Sequence, residues 1–338
     1  MKQNDVVLMG HGGGGALTNT LIRNLIVREL GNPVLNRLDD GACLEIEERD
    51  LVFTTDSYVI DPIFFPGGDI GHLSVCGTVN DLAMQGAEPR YLSLGLIIQA
   101  GLLMSDLERI IASIRDVARD VGVQVVTGDT KVIENTGARG GIYINTSGIG
   151  VRKPGVDVSV ANARDGDVVI VTGTIGDHGI AILNEREGLG MKSALVSDAA
   201  PLWPMIDKLL DDVPSIHCLR DPTRGGVAAA TCDIAESSGC TIRIKETSLP
   251  VKDEVHGACN LLGLDPLNVA NEGKAVVVCA PEDKDQTLRI LRAHPLGERA
   301  SVIGSVVSGA KGRVVMTTRA GGERIVDVPA GEDLPRIC

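Results

Sequence analysis

Helical and strand-like patterns alternate along this 338-residue chain, which predicts an α/β (α+β) fold. The length suffices for two domains with separate cores. A strand, a glycine turn and a helix recur in each half, and a loop with Pro154, Gly155 and Arg164-Asp165-Gly166-Asp167 lies between them. The boundary is therefore expected at 152–165, with domains 1–155 and 156–330 and a tail 331–338 that lacks any regular period.

The elements follow from apolar spacing. Residues 17–30 are apolar at 17, 21, 22, 25, 26 and 30, a helical repeat. Strands are expected near 43–46 and at 51–55, 91–98, 123–127 and 141–149. A helix carries Val75, Cys76, Val79, Leu82 and Ala83. Residues 104–121 form the clearest helix, with Leu107, Ile110, Ile111, Ile114, Val117 and Val121 as its buried stripe. Ser105 and Glu108 fit a capping box at its start. The second half predicts strands at 168–172, 241–245, 274–280 and 300–307, helices near 178–187, 198–211, 225–238 and 283–293, and a last hairpin within 312–330.

Composition narrows the function. The net charge is −13 and aromatic residues make up 2%, so the basic stripe and stacking platforms of a nucleic-acid binder are missing. The same acidity opposes anionic membranes. No apolar run reaches the roughly 18 residues that span a bilayer, and the first residues do not form a basic-then-apolar leader. Eight scattered cysteines, none in a Cys-x-x-Cys pair, argue against zinc ribbons and thioredoxin-type sites and for a reduced, cytoplasmic protein. Cys76, Cys232 and Cys279 sit in apolar patterns as small core residues.

The chemistry-bearing residues are mostly acidic. Asp81 is the lone formal charge between Ile70 and Ala87. A carboxylate on so apolar a helix is costly unless paired or metal-bound; the plainer reading is a hydrogen-bonded structural aspartate. Gly77, one turn earlier, leaves room above it. Asp56 and Asp129 are expected at the carboxyl ends of strands 51–55 and 123–127, where α/β sheets bind ligands. Asp39, Asp40 and Glu272 sit beside glycines and strands. Each alone suits a turn, but together they offer the oxygen ligands of a Mg²⁺ shared with phosphates. Arg220-Asp221-Pro222-Thr223-Arg224-Gly225-Gly226 precedes a helix and suits an anion, or simply starts the helix. The glycines of His11-Gly12-Gly13-Gly14-Gly15 can present amides to phosphate. They also match a dinucleotide fingerprint, weakly, because four consecutive glycines satisfy many patterns and the expected acidic residue is misplaced. The chain ends in Pro335-Arg336-Ile337-Cys338, and the tail 331–338 can reach about 28 Å when extended. Cys338 suits either an incidental terminal thiol or a group carried into a pocket.

Phe53-Thr54-Thr55-Asp56-Ser57-Tyr58-Val59, Gly77-Thr78-Val79-Asn80-Asp81-Leu82-Ala83, Thr127-Gly128-Asp129-Thr130-Lys131, Gly176-Asp177-His178-Gly179, Asp221-Pro222-Thr223-Arg224-Gly225-Gly226, Asn271-Glu272-Gly273 and the terminal Pro335-Arg336-Ile337-Cys338 occur in this order. Together they resemble the HypE family of carbamoyl dehydratases over the whole length. That family lies within the PurM-like ATP-using superfamily, with aminoimidazole ribonucleotide synthetase, selenophosphate synthetase and thiamine-phosphate kinase. The resemblance implies a PurM-like two-domain fold: an N-terminal sheet domain that dimerises and binds ATP, and a C-terminal α/β domain. It implies a homodimer, ATP and Mg²⁺, with Asp40, Asp56, Asp81 and Asp129 near the metal. Asn80, Gly12, Gly13, Gly14, Arg224, Gly225 and Gly226 would complete the nucleotide site. Gly13 stands where the family often has serine, so that loop offers amides rather than a hydroxyl.

The implied reaction begins with a carbamoyl group placed on Cys338 by HypF. ATP phosphorylates the amide oxygen, and loss of phosphate and the nitrogen protons leaves a thiocyanate. Its cyanide passes to iron on HypC–HypD during [NiFe]-hydrogenase maturation. Glu272, Lys131 and His11 are the candidate bases. Two alternatives remain at this stage. One is another small-molecule ATP enzyme of the superfamily, although a selenophosphate synthetase would place a reactive cysteine or selenocysteine in the loop 10–15, which has none. The other is a non-catalytic carrier holding a group on Cys338.

Overall fold

The computed structural model describes residues 6–8, 20–33, 35–37, 50–134, 140–191, 194–310 and 312–327. The expected strand near 43–46, the tail 331–338 and the site residues His11, Gly12, Gly13, Gly14, Asp40 and Cys338 lie outside them.

The first sheet contains β1 (Leu51–Tyr58), β4 (Ala87–Gln99), β5 (Gln124–Ile133) and β6 (Ile142–Arg152) in the order β1-β6-β4-β5. Only the β4–β5 pair is parallel. Two short strands, β2 (Phe64–Phe65) and β3 (Gly68–Asp69), lead into α1 (Ile70–Met84), and α2 (Met104–Val121) joins β4 to β5. Both helices cover one face of the sheet, and the stripe Leu107, Ile110, Ile111, Ile114 and Val117 of α2 is buried as its spacing predicts. The opposite face is open and exposes Leu51, Phe53, Ile97, Ile133 and Tyr143.

Asp69 begins α1 by accepting the amides of Gly71 and His72 on Oδ1 at 2.8 and 3.0 Å. The helix then lies against β1 closely enough that a Cβ on Gly77 would fall 2.3 Å from the Tyr58 hydroxyl. The space above Gly77 is thus filled by a tyrosine, which hydrogen-bonds Thr78 at 3.3 Å. The capping box expected at Ser105 and Glu108 is not formed: α2 starts at Met104, with Leu103 as an extended N-cap and no side-chain cap. The reason is tertiary. Val6 bridges Leu103, and Val7 donates its amide to the Leu102 carbonyl, so a strand contact fixes the entry to the helix.

The second sheet has seven strands in the order β13-β12-β9-β11-β7-β10-β8. They are β7 (Val168–Val171), β8 (Ile216–Arg220), β9 (Thr241–Lys245), β10 (Val276–Cys279), β11 (Ser301–Val307), β12 (Arg313–Thr317) and β13 (Glu323–Val326). Its helices are α3 (Asp177–Glu187), α4 (Trp203–Asp212), α5 (Gly226–Ser238), α6 (Asp253–Leu262) and α7 (Lys284–Arg292). Strand β8 and helix α6 have no counterpart in the pattern-based expectation. Helix α4 begins at Trp203, not near 198, with Pro204 in its first turn. The backbone of 199–202 bonds instead to side chains of α1.

One apolar core runs through both halves, joining Leu73, Cys76 and Met84 of α1 to Leu202, Trp203, Met205 and Ile206 around α4. Lys153 adds a polar link, donating to Asp207 at 2.5 Å and Asp211 at 2.7 Å. Gly77→Ala should destabilise the protein by about 1–3 kcal/mol through overpacking against Tyr58. Urea unfolding measures this, and a Gly77→Ala/Tyr58→Phe double variant should recover part of the loss.

Candidate active site

The two halves meet where α1 reaches the loops that precede α4 and β10. Asp81 lies near the carboxyl end of α1, half-buried, and its Oδ2 accepts the Thr54 hydroxyl at 2.8 Å. Asp56 is two residues further along β1 on the same, helix-facing side, as the alternation of a strand requires. Burial, then repulsion from Asp221 and Asp56, pushes the Asp81 carboxyl up to about 6 against the opposing pull of Thr54 and Arg220. The Asp221 carboxyl, just after β8, is likewise pushed up by burial, with Asp56 adding to the effect.

Glu272 is 4% exposed, and its Oε1 has no hydrogen-bond partner. Burial, followed by the charges of Asp221, Asp198, Asp56 and Asp81, raises its carboxyl well above the usual range. Its backbone is held on both sides: the Glu272 amide donates to Asp198 at 3.0 Å, and its carbonyl accepts the Asn80 amide at 3.1 Å. Lys274 pairs with Asp198 at 3.1 Å. Gly273 is required here, because a Cβ would lie 1.9 Å from the Asp198 carbonyl oxygen. No local pattern marks Asp198 or Asp221 as a site residue. Asp221 lies inside a segment that reads as an arginine-glycine anion loop.

Sequence-predicted residues fall into three groups. Asp56, Asp81 and Glu272 come together. Asn80 adjoins them but is 2% exposed, and its amide serves the backbone of Ala200, Leu202 and Glu272 instead of a ligand. The segment from Arg220 to Gly226 is stitched to the same junction, since the Pro222 carbonyl accepts both the backbone and side-chain amides of Asn271. Gly225 and Gly226 take left-handed φ values of 74° and 60°. The Gly226 amide is already donated to Thr223, and a Cβ there would strike the carbonyls of Leu267 and Val269. Gly226 therefore serves close packing. Arg224 is exposed at the start of α5.

Asp129 and Lys131 form the third group. Strand β5 runs through to Ile133, so Asp129 sits mid-strand and not at a carboxyl end. Asp56 likewise has two strand residues after it. Asp129 pairs across the sheet with Gly95, and Gly95 with Asn145, which places it and Lys131 on the open face. Within one chain the sheet separates them from Asp56 and Asp81. Lys131 lies 3.0 Å from Asp129 and lowers its carboxyl.

Among the described residues no group of three histidines, cysteines or carboxylates forms a ready metal cage. A Mg²⁺ that arrives with a nucleotide needs only one or two carboxylates and takes its remaining ligands from phosphate and water. Mutually repelling carboxyl groups and an unpartnered Glu272 oxygen fit such a cation. No described helix is long and apolar enough to cross a membrane.

Residues 38–152 match the N-terminal domain of AIR synthase related proteins, and residues 164–317 match their C-terminal domain, which together with the two sheets and the junction carboxylates defines the class. Within that class, the carbamoyl dehydratase HypE of Azotobacter vinelandii is 47% identical over 336 residues, 99% of this chain and 98% of its own. A crystal structure of hydrogenase maturation protein HypE in complex with ATP superposes with a TM-score of 0.94 at 45% identity, covering 98% of this chain and 99% of that one. A HypE–HypF complex superposes at 0.80 with 44% identity, covering 93% of this chain and 100% of that one. The chain belongs to the HypE family.

The carboxyl cluster sets a pH dependence. In the unfolded chain Asp81 titrates near 3.9, and in the folded chain at about 6. The folded protein therefore binds more protons between those values, and its stability falls as pH rises through that window. In metal- and nucleotide-free buffer, Asp81→Asn should raise stability at pH 7.5 by about 1–3 kcal/mol. The gain should shrink towards pH 4, as read from urea midpoints at each pH.

Proposed function

We propose that this chain is an ATP-dependent carbamoyl dehydratase that converts its own carbamoylated Cys338 into a thiocyanate. The observation that carries this reading is the end-to-end likeness to relatives named carbamoyl dehydratase, which reaches 99% of this chain. The junction carboxylates supply matching chemistry.

The γ-phosphoryl group of ATP is transferred to the oxygen of the S-linked carboxamide. The C–O bond then breaks with the electron pair leaving on phosphate. Two protons leave nitrogen, and a carbon–nitrogen triple bond forms, so that thiocarboxamide and ATP yield thiocyanate, ADP and phosphate. There is little covalent work for the protein; placing and neutralising the phosphates dominates. Asp56 and Asp81 are the residues to hold Mg²⁺, which when bound offsets phosphate charge. Glu272 is the proton acceptor: once ionised, a carboxylate with raised proton affinity is the stronger base. Lys131 points away from this cluster in a single chain and is not the base there. The HypE–HypF complex supports HypF as a partner, and in this reading HypF supplies the carbamoyl group. HypC–HypD, the acceptor that the family resemblance implies, fits this step, because a cyano group leaving sulfur must pass to another centre. The reaction fits a cytoplasmic setting, where thiols stay reduced.

We further propose a homodimer through the open face of the first sheet, where Phe53 is 69% exposed and Leu51 51% exposed. Apolar side chains of this size gathered on one sheet face are expected at an interface. A second copy seated there buries Asp129 and Lys131 at the contact.

Incubating the carbamoylated, full-length chain with Mg-ATP should remove the mass of one water from its C-terminal peptide, and Asp81→Asn should abolish the change. An unchanged mass with ATP bound would refute the reaction. Cys338→Ala should still bind ATP. Phe53→Asp should weaken self-association by at least about tenfold, as sedimentation would show.

A further inference from the structure

Asn80 and Asp81 are neighbours on α1, yet their side chains serve different halves of the protein. Asp81 turns to Thr54 on β1. Asn80 turns to the second half, where its Nδ2 donates to the carbonyls of Ala200 and Glu272, each at 3.1 Å. Its Oδ1 accepts the Leu202 amide at 2.7 Å. Both amide protons are used, so the side chain has no donor left for a nucleotide. With the Asp198 carboxylate on the Glu272 amide, the backbone of Glu272 is gripped from both sides, while its Oε1 is left without a partner. The carboxyl group is therefore placed from the backbone.

We propose that Asn80 is a positioning residue, setting Glu272 relative to Asp81 for the dehydration step without touching substrate. This rests on the reading of Glu272 as proton acceptor. Since α1 carries both Asn80 and Asp81, one rigid helix determines where the base from the second half stands against the carboxylate from the first. A misplacement of about 1 Å costs on the order of 10²-fold in rate.

The test uses full-length chain carbamoylated at Cys338, with Asn80→Ala and Asn80→Ser made alone and combined with Glu272→Gln. Turnover is read from the mass of the C-terminal peptide and KM from ATP titration, with thermal unfolding as the check on folding. In the unaltered background the Asn80 substitutions should lower kcat by on the order of 10²-fold and leave KM for ATP nearly unchanged. In the Glu272→Gln background they should cost less than about twofold, because residues acting as one unit are not additive. Equal losses in both backgrounds would overturn the proposal, as would a loss confined to KM. Failure of both variants to fold would overturn it too, since the clamp would then be a requirement of the fold. Full turnover by Glu272→Gln alone would remove the proton-acceptor reading and this proposal together, and no Asn80 variant is needed to see that.

Discussion

Asp56, Asp81, Asp221 and Glu272 crowd like charges together where the two halves meet, and the surrounding structure holds them there against that repulsion. The proton affinities of Asp81, Asp221 and Glu272 are raised first by burial; Asp56 adds to all three, and Asp221 adds to Asp81 and Glu272. Asp198 has a close ammonium in Lys274, and Asp81 is eased by Thr54 and Arg220, but the Glu272 carboxyl is left with an unmet oxygen. Such a cluster is costly by itself, and a bound cation would offset part of that cost. Residues that look ordinary alone acquire their purpose from this constraint: Asp198 and Asn80 grip the Glu272 backbone, and Gly273 admits the Asp198 carbonyl.

Much of the architecture was legible because it follows local period. The stripe of α2 and the strands β9 and β11 needed only apolar spacing. Asp81 was legible as the one charge in an apolar helix. Asp56 and Glu272 were legible as its company through their glycine and strand contexts, but Asp221 and Asp198 were not, since they meet it only through tertiary packing. Asp129 shows the limit differently. Its polar segment, from Thr127 to Lys131, reads as a strand ending in a loop, whereas the strand continues with one face open. Strand phase then decides the side on which a residue stands, and a shift of one residue reverses it.

Motif membership did not reveal the role of each residue. Asn80 and Gly226 sit in segments that resemble a nucleotide site, and both spend their polar groups on backbone contacts within the chain. The small residues of α1 have a similar explanation: Gly77 makes room for Tyr58, and Thr78 bonds Thr146 of β6 at 2.5 Å. The helix that carries Asp81 is seated on its sheet by contacts that leave little slack.

The apolar core continuous from α1 to α4 has a consequence for cooperativity. Because that core is shared, neither half could detach without wetting side chains that both bury. The protein should therefore melt as one unit, and any opening between the halves would cost the burial of those shared side chains.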